Sequence, residues 1–117
     1  MWRRVTYVRK LMFNESKEEF RTWLVKHNNI SVKAAGDIVC RCNRLDHEVL
    51  ESIDLSVSST ALYADALKQI KVYAIANKVN SKSQYNLTRS YRAALKKYCQ
   101  YVNPETYVQY PTGYSIR

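Results

Sequence analysis

The sequence has few of the residues that make turns, with only two glycines and two prolines among its 117 residues. Proteins built from many short strands need frequent turns, so this scarcity favours a few long helices. Apolar residues make up 46% of the chain, and a domain of this length can form a core without disulfides or a metal. We predict an all-α, compact bundle of four main helices over residues 16–103. A basic N-terminal segment, 1–15, precedes it, and an irregular aromatic tail, 104–117, follows it.

The spacing typical of disulfide frameworks and zinc sites is also missing. The three cysteines include a C-x-C pair, Cys40 and Cys42, but no second pair, and the nearest histidine, His47, stands alone. We expect neither a metal nor a cofactor, and free thiols of this kind are typical of a reducing compartment. Arg9 and Lys10 interrupt the apolar residues near the N-terminus, so we expect no signal peptide and no membrane span. These features predict a cytoplasmic protein, nucleoid-associated or, for a viral source, in the host cytoplasm.

Catalytic motifs are absent as well. The two histidines, His27 and His47, stand in no H-E-x-x-H motif, and the chain has neither paired carboxylates in an apolar setting nor a Gly-rich phosphate loop. Half of the ten tyrosines fall on core-facing stripes, whereas a phosphoryl-transferring tyrosine needs cations or general acids arranged around the phosphate. We therefore expect that the protein is not an enzyme.

Acidic residues are missing from residues 66–104, although this stretch holds eight lysines and arginines. It carries a net +8, whereas residues 15–65, with nine acidic and six basic residues, carry a net −3. A solvated helix face normally intersperses acids that pair with basic residues one turn away. The asymmetry therefore predicts a polyanionic partner, with double-stranded DNA favoured and RNA left open as an alternative.

The clearest helical periodicity lies within the same stretch, over residues 84–102. Apolar residues three and four apart form its core face, which consists of Leu87, Tyr91, Ala94, Leu95, Tyr98, Tyr101 and Val102. The opposite face carries one aromatic and three cationic side chains, here called the basic stripe: Tyr85, Arg89, Arg92 and Lys96. A merely solvated surface is the alternative interpretation. Further cations near the stripe, on the second helix and in the N-terminal segment complete the candidate phosphate contacts: Lys97, Lys82, Arg41, Arg44, Arg3 and Arg4.

Capping residues predict where the helices begin and end. Ser16 and Glu19 form a capping box for the first helix, and Asn28 and Asn29 suit its C-terminal end. Ser31 is the predicted N-cap of the second helix.

The later boundaries rest on weaker local signals. Ser83 or Ser81 is the predicted N-cap of the helix that bears the basic stripe. The serine-rich residues 51–59 predict a connection that packs Ile53 and Leu55 onto the core. The tail after residue 104 has no helical period, and its tyrosines are expected to pack on the bundle rather than to stack on bases.

The third helix, predicted for about residues 60–79, is apolar on two sides. Its outer side carries an apolar strip, defined by Val72, Ile75 and Val79, that a DNA contact does not need. Two coverings are open: the N-terminal segment through Trp2 and its apolar neighbours, which we favour, or a second copy of the chain in a homodimer. The strip also motivates a protein partner.

Three short motifs are spread over residues 16–103: F-x-x-W-L from Phe20, I-V-x-R-x-x-R-L from Ile38, and Y-R-x-A-L-x-x-Y-x-x-Y from Tyr91. Together with Ile30 and Ser31 at the start of a helix, they resemble the N-terminal core-binding domain of phage integrases and other tyrosine recombinases. The resemblance implies a SAM-like bundle of about four helices that clasps one side of a DNA duplex.

That family carries its catalytic residues in a separate domain of well over a hundred residues. The thirteen residues after Pro104 are too few for it, so the resemblance implies a non-catalytic DNA-binding module, either part of a longer integrase or a free-standing relative. The alternative is a small phage or mobile-element protein that binds and blocks an acidic protein partner.

Overall fold

In the computed structural model, residues 12–109 are described, and within this range the chain forms helices and no strand. Six helices follow one another: α1 (Phe13–Asn28), α2 (Val32–Arg44), α3 (Ile53–Ser56), α4 (Thr60–Asn77), α5 (Ser81–Val102) and α6 (Pro104–Gln109). A single π-helical turn, Leu45–Val49, extends α2. The predicted all-α bundle with four main helices is confirmed, and those helices are α1, α2, α4 and α5.

The core is built around aromatic side chains of α1 and α5. The ring of Tyr98 is fully buried and meets the rings of Phe13 and Phe20 edge to face, at centroid distances of 5.4 and 5.3 Å. Ala94 and Leu95 are buried beside it, as the periodicity of α5 predicted. Buried side chains of this size supply most of the free energy that holds helices together, at about 1.5–3 kcal/mol each.

The capping box predicted at Ser16 is wrong. Helix α1 begins three residues earlier, at Phe13, whose backbone N–H donates to the carboxylate of Asp54 at 2.9 Å. Ser16 is buried inside the helix, where its hydroxyl donates to the carbonyl oxygen of Met12 and its backbone leaves the helical conformation. An acceptor from α3 thus replaces the expected local cap, and local sequence patterns do not reveal such an acceptor.

Two other predicted boundaries of the first half are confirmed. Asn29 ends α1 in the left-handed conformation, with φ 55° and its N–H donating to the carbonyl oxygen of Leu24. The Ser31 hydroxyl accepts from the backbone N–H of Ala34 at 3.1 Å and begins α2.

The predicted cap of α5 is wrong by a few residues. The side-chain oxygen of Asn80 accepts from the N–H of Ser83 at 2.8 Å, so Asn80 is the N-cap and Ser81 is already helical. Asparagine and serine are similar in their preference for this position, and the sequence of this turn offers both.

The connection between α2 and α4 contains the one-turn helix α3, which the sequence did not predict. Ile53 is fully buried as expected, but Leu55 is exposed, so the prediction that both residues pack on the core is wrong for Leu55. Residues two apart in a helix do not share a face, which separates the two side chains.

The tail was predicted to be irregular, and its first part is instead helix α6. Pro104 occupies the first turn, where its missing N–H costs nothing, and the side-chain amide of Asn103 donates to the carbonyl oxygen of Val57 at 3.0 Å. Tyr107 packs against the core, which confirms the expectation for that tyrosine. Tyr110 and Tyr114 lie outside the described residues.

The predicted apolar strip is open to solvent. Val72 and Ile75 lie on α4, but this helix ends at Asn77, so the prediction that the strip continues on the helix to Val79 is wrong. Val72, Ile75 and Val79 are 66%, 53% and 101% exposed. The N-terminal residues that we predicted as its cover lie outside the described residues, and both that covering and the homodimer stay predictions. In the described range, no helix has both the length and the apolarity that crossing a membrane requires.

Candidate nucleic-acid interface

A groove of about 400 Å³ opens between α2 and α5. Three cationic side chains line it: Arg41 from α2, and Arg89 and Lys97 from α5. Asn86 and Ser90 add an amide and a hydroxyl from α5. The remaining walls are apolar and come from Ile38, Ala93 and Ala94.

Helical spacing explains why α5 presents these side chains together. Asn86, Ser90, Ala93 and Lys97 follow one another at intervals of four, three and four residues, which places them on one side of the helix. Arg41 lies three residues after Ile38 on α2 and therefore points in a similar direction from the facing helix. The two helices thus supply cations from opposite sides of the groove.

Lys97 is held in place by α1. Its ammonium group donates to the side-chain oxygen of Asn28 at 2.9 Å, and the side chain is half-buried. An ammonium has three N–H donors, so this bond leaves donors for a ligand while restricting where the group can move. The sequence predicted Lys97 as a phosphate contact, and the structure places it in the groove rather than on the open face.

Arg92 departs most from the sequence prediction. Its Nε and Nη2 both donate to the carbonyl oxygen of Leu67 in α4, at 3.0 and 2.7 Å, and the side chain is half-buried. Arg92 therefore links α5 to α4 with donors that a phosphate would otherwise use. We remove it from the phosphate contacts that we propose.

The rest of the basic stripe is open to solvent. Tyr85 and Arg89 are exposed, and so is Lys96, whose ammonium lies 5.8 Å from the centroid of the Tyr107 ring. Lys82, in the first turn of α5, is exposed as well. The exposed cations of this face are therefore Lys82, Arg89 and Lys96, and Arg89 belongs to both the stripe and the groove.

Arg41 and Arg44, predicted together on α2, have different surroundings. Arg41 is half-buried in the groove, whereas Arg44 forms an ion pair with Glu48, with 3.6 Å between nitrogen and oxygen. Electrostatic interaction with Tyr91, and to a smaller extent with Glu48, raises the pKa of the Arg44 guanidinium. Glu48 also accepts a hydrogen bond from the Tyr73 hydroxyl at 3.3 Å, so Arg44 belongs to a cluster shared with α4. The candidates Arg3 and Arg4 lie outside the described residues.

Sequence reasoning missed Asn86, Ser90 and the groove itself. The sequence did contain a signal, because small and polar residues recur along α5 between its core face and the basic stripe. Small residues leave room between packed helices, but only the position of α2 shows that this room becomes a cavity.

Neither a metal site nor a known relative helps to assign the groove. Within residues 12–109, no three His, Cys, Asp or Glu side chains are grouped so that they could hold a metal ion. No protein-family model, no curated protein and no solved structure matches the chain. The fold defines the class, an all-α bundle, and the function has to be argued from the basic stripe and the groove.

Proposed function

We propose that the protein is a non-catalytic DNA-binding module that contacts duplex phosphates through the exposed cations of α5. The observation that carries this proposal is the acid-free stretch of residues 66–104, whose exposed cations Lys82, Arg89 and Lys96 share one face of one helix. Because this stretch contains no carboxylate that could neutralise them, these cations can attract an external polyanion.

The length of the cationic face suits a duplex. Lys82 and Lys96 are fourteen residues apart, and at 1.5 Å per residue this corresponds to about 21 Å along the helix axis. A strand of B-DNA carries one phosphate per 3.4 Å of axis, so the face spans about six phosphates of one strand. Tyr85 adds an exposed aromatic ring with a hydroxyl that can donate to a phosphate oxygen.

The likeness to integrase core-binding domains supports the choice of duplex DNA over RNA. It rests on the three short motifs, and the helical bundle agrees with the architecture that the likeness implies. We propose on this basis an integrase-like module of phage or mobile-element origin that takes part in DNA integration and acts in the cytoplasm or nucleoid.

The decisive experiment is the salt dependence of duplex binding, measured by fluorescence anisotropy between about 50 and 200 mM salt. The logarithm of the affinity should fall linearly with the logarithm of the salt concentration, by about 0.9 per phosphate contacted. We expect R89E/K96E to weaken binding and to reduce the magnitude of this slope by the amount that about two phosphate contacts contribute.

The matched control is K68E/K71E, which removes the same charge from exposed lysines of α4 outside the basic stripe. It should bind more tightly than R89E/K96E and keep most of the parent slope. Equal effects of the two double variants would show that only net charge matters and would reduce the stripe to a solvated surface.

A second candidate function is binding to an acidic protein partner, and the exposed apolar strip favours it. Val72 and Ile75 lie beside the exposed Lys68 and Lys71, so the surface combines apolar contact with positive charge. No binding to any duplex or single strand at about 50 mM salt would favour this candidate, because non-specific phosphate contacts are strong at low ionic strength.

A further inference from the structure

We infer that the groove between α2 and α5 binds a nucleoside 5′-monophosphate group, either at the end of a DNA strand or as a free nucleotide. The inference rests on the proposed function, from which it takes the class of its ligand. It goes beyond that function because it assigns a second, concave site to the groove. The duplex contacts proposed above lie on the open face of α5, and the groove is a separate recess that shares only Arg89 with them.

Charge selects a terminal phosphate over an internal one. Arg41, Arg89 and Lys97 approach the groove from two helices, and none of the described residues that line it is acidic. A phosphate monoester carries about −1.5 to −2 at neutral pH, whereas an internal diester carries a single negative charge. Guanidinium groups match phosphate oxygens with pairs of parallel N–H donors, and two of the three cations are arginines.

Preorganisation strengthens this preference. The Lys97 ammonium is already fixed by its 2.9 Å bond to Asn28, and the Arg41 side chain is half-buried against its surroundings. Side chains that are held before the ligand arrives lose less conformational entropy when they bind it. Two of the three cations that a phosphate would meet in the groove, Arg41 and Lys97, are thus restricted before it binds.

Shape points to the same ligand. A volume of about 400 Å³ lies within the range of small-molecule sites, about 300–1,000 Å³. A duplex presents its internal phosphates on a continuous convex ridge, which fits an exposed helix face better than a recess. In the groove, Ile38 and Ala93 offer apolar contact for a sugar or base, while Asn86 and Ser90 offer hydrogen-bonding groups.

The test compares 5′-phosphorylated and 5′-hydroxyl versions of one short duplex with single-stranded 5′ ends, labelled at the 3′ end and measured by anisotropy at about 150 mM salt. We expect the phosphorylated end to bind at least about fivefold more tightly, because it adds charge-assisted hydrogen bonds. A mononucleotide should compete with the phosphorylated end, and the corresponding nucleoside should not. Equal affinities of the two ends, together with no direct binding of the mononucleotide in titration calorimetry, would overturn the inference.

Two variants connect the effect to the groove. A93L fills the recess from an exposed position and leaves every charge in place, and R41Q replaces one cation with a neutral polar side chain. Both should abolish most of the preference for the phosphorylated end, while K68Q, which is outside the groove, should retain it. Circular dichroism and thermal unfolding establish that each variant is folded. If A93L and R41Q keep the full preference, the groove is not the site.

The remaining outcomes distinguish a DNA end from a free nucleotide as the ligand. They also distinguish the groove from the proposed duplex function. Equal affinities of the two ends, together with direct binding of the mononucleotide in titration calorimetry that A93L removes, would support the site and assign it to free nucleotides. Binding of the 5′-hydroxyl duplex tests the open face of α5 alone and should persist in A93L. Its absence in the parent protein would count against the proposed duplex function and would leave the mononucleotide result valid.

Discussion

The guanidinium of Arg92 donates two hydrogen bonds to the carbonyl oxygen of Leu67, 3.0 Å from Nε and 2.7 Å from Nη2. A residue of the basic stripe therefore serves the packing of α5 on α4. Its neighbour on the stripe, Arg89, lies on the exposed side of the same helix and faces the groove. Stability and binding should consequently respond to different arginines of one helix.

Replacing Arg92 with alanine should lower the free energy of unfolding by about 1.5–3 kcal/mol, since hydrogen bonds to charged groups contribute about this much. R89A, an exposed substitution on the same helix, should stay within about 0.5 kcal/mol of the parent. Urea unfolding followed by circular dichroism measures both values. Identical midpoints for R92A and R89A would show that the contact with Leu67 contributes nothing to stability.

Asp54 should be among the most sensitive polar residues of the fold, because its carboxylate accepts from both the N–H of Phe13 and the hydroxyl of Tyr98, at 2.9 and 2.5 Å. D54A removes the acceptor of both hydrogen bonds, and hydrogen bonds to a charged group contribute about 1.5–3 kcal/mol. Y98F removes only one of the two bonds and should cost less. D65A, on the exposed face of α4, is the control. Denaturant unfolding would contradict this ranking if D54A were no less stable than D65A.

Burial raises the pKa of Asp54 above its ordinary value of 3.8, and the hydrogen bonds from Phe13 and Tyr98 oppose this shift only in part. The folded state therefore binds this proton more tightly than the unfolded state does. Between 3.8 and the raised pKa, the contribution of Asp54 to stability must fall as the pH rises. Unfolding of the parent and of D54N should be measured from about pH 3 to 7, since the difference between them isolates this group. If the stability of the parent relative to D54N rose with pH over this range, the predicted direction of the pH dependence would be wrong.

The three cysteines should differ sharply in their reactivity towards a thiol reagent. Cys40 is exposed, while Cys42 and Cys99 are buried. Burial raises the pKa of both buried thiols, that of Cys99 to about 12, so few thiolates form at neutral pH. We expect one fast thiol in the native protein, none in C40S, and three in the parent after unfolding. Two fast thiols in C40S would show that α2 and α5 open readily.

The N-cap of α5 can be tested directly because the sequence and the structure assign it to different residues. N80A removes the acceptor for the N–H of Ser83 and should cost about 1 kcal/mol. S83A changes a half-buried side chain in the first turn and should have little effect. A larger loss of stability in S83A than in N80A would favour the original assignment.

Much of the local structure could be predicted from the sequence, because it depends on residues within one or two turns. The spacing of Leu95 and Tyr98 defined the core face of α5, and Asn29 and Ser31 marked the boundary between α1 and α2. The absence of acids from residues 66–104 also predicted which helix would carry uncompensated charge. Periodicity, capping and composition are local properties, and tertiary contacts left these particular predictions unchanged, whereas they overrode the predicted cap at Ser16.

Tertiary structure decided where α1 begins and what each cation does. Asp54 caps Phe13 across 41 residues, and Leu67 binds Arg92 across 25. The groove likewise requires Arg41 and Arg89 to approach each other from different helices. A helical pattern shows which side chains share a face, but the neighbouring helix determines whether that face meets solvent, a carbonyl oxygen or a cavity. The sequence by itself therefore determined the helices and their charge, and the packing of α2 and α4 on α5 determined which of those charges remain available to a ligand.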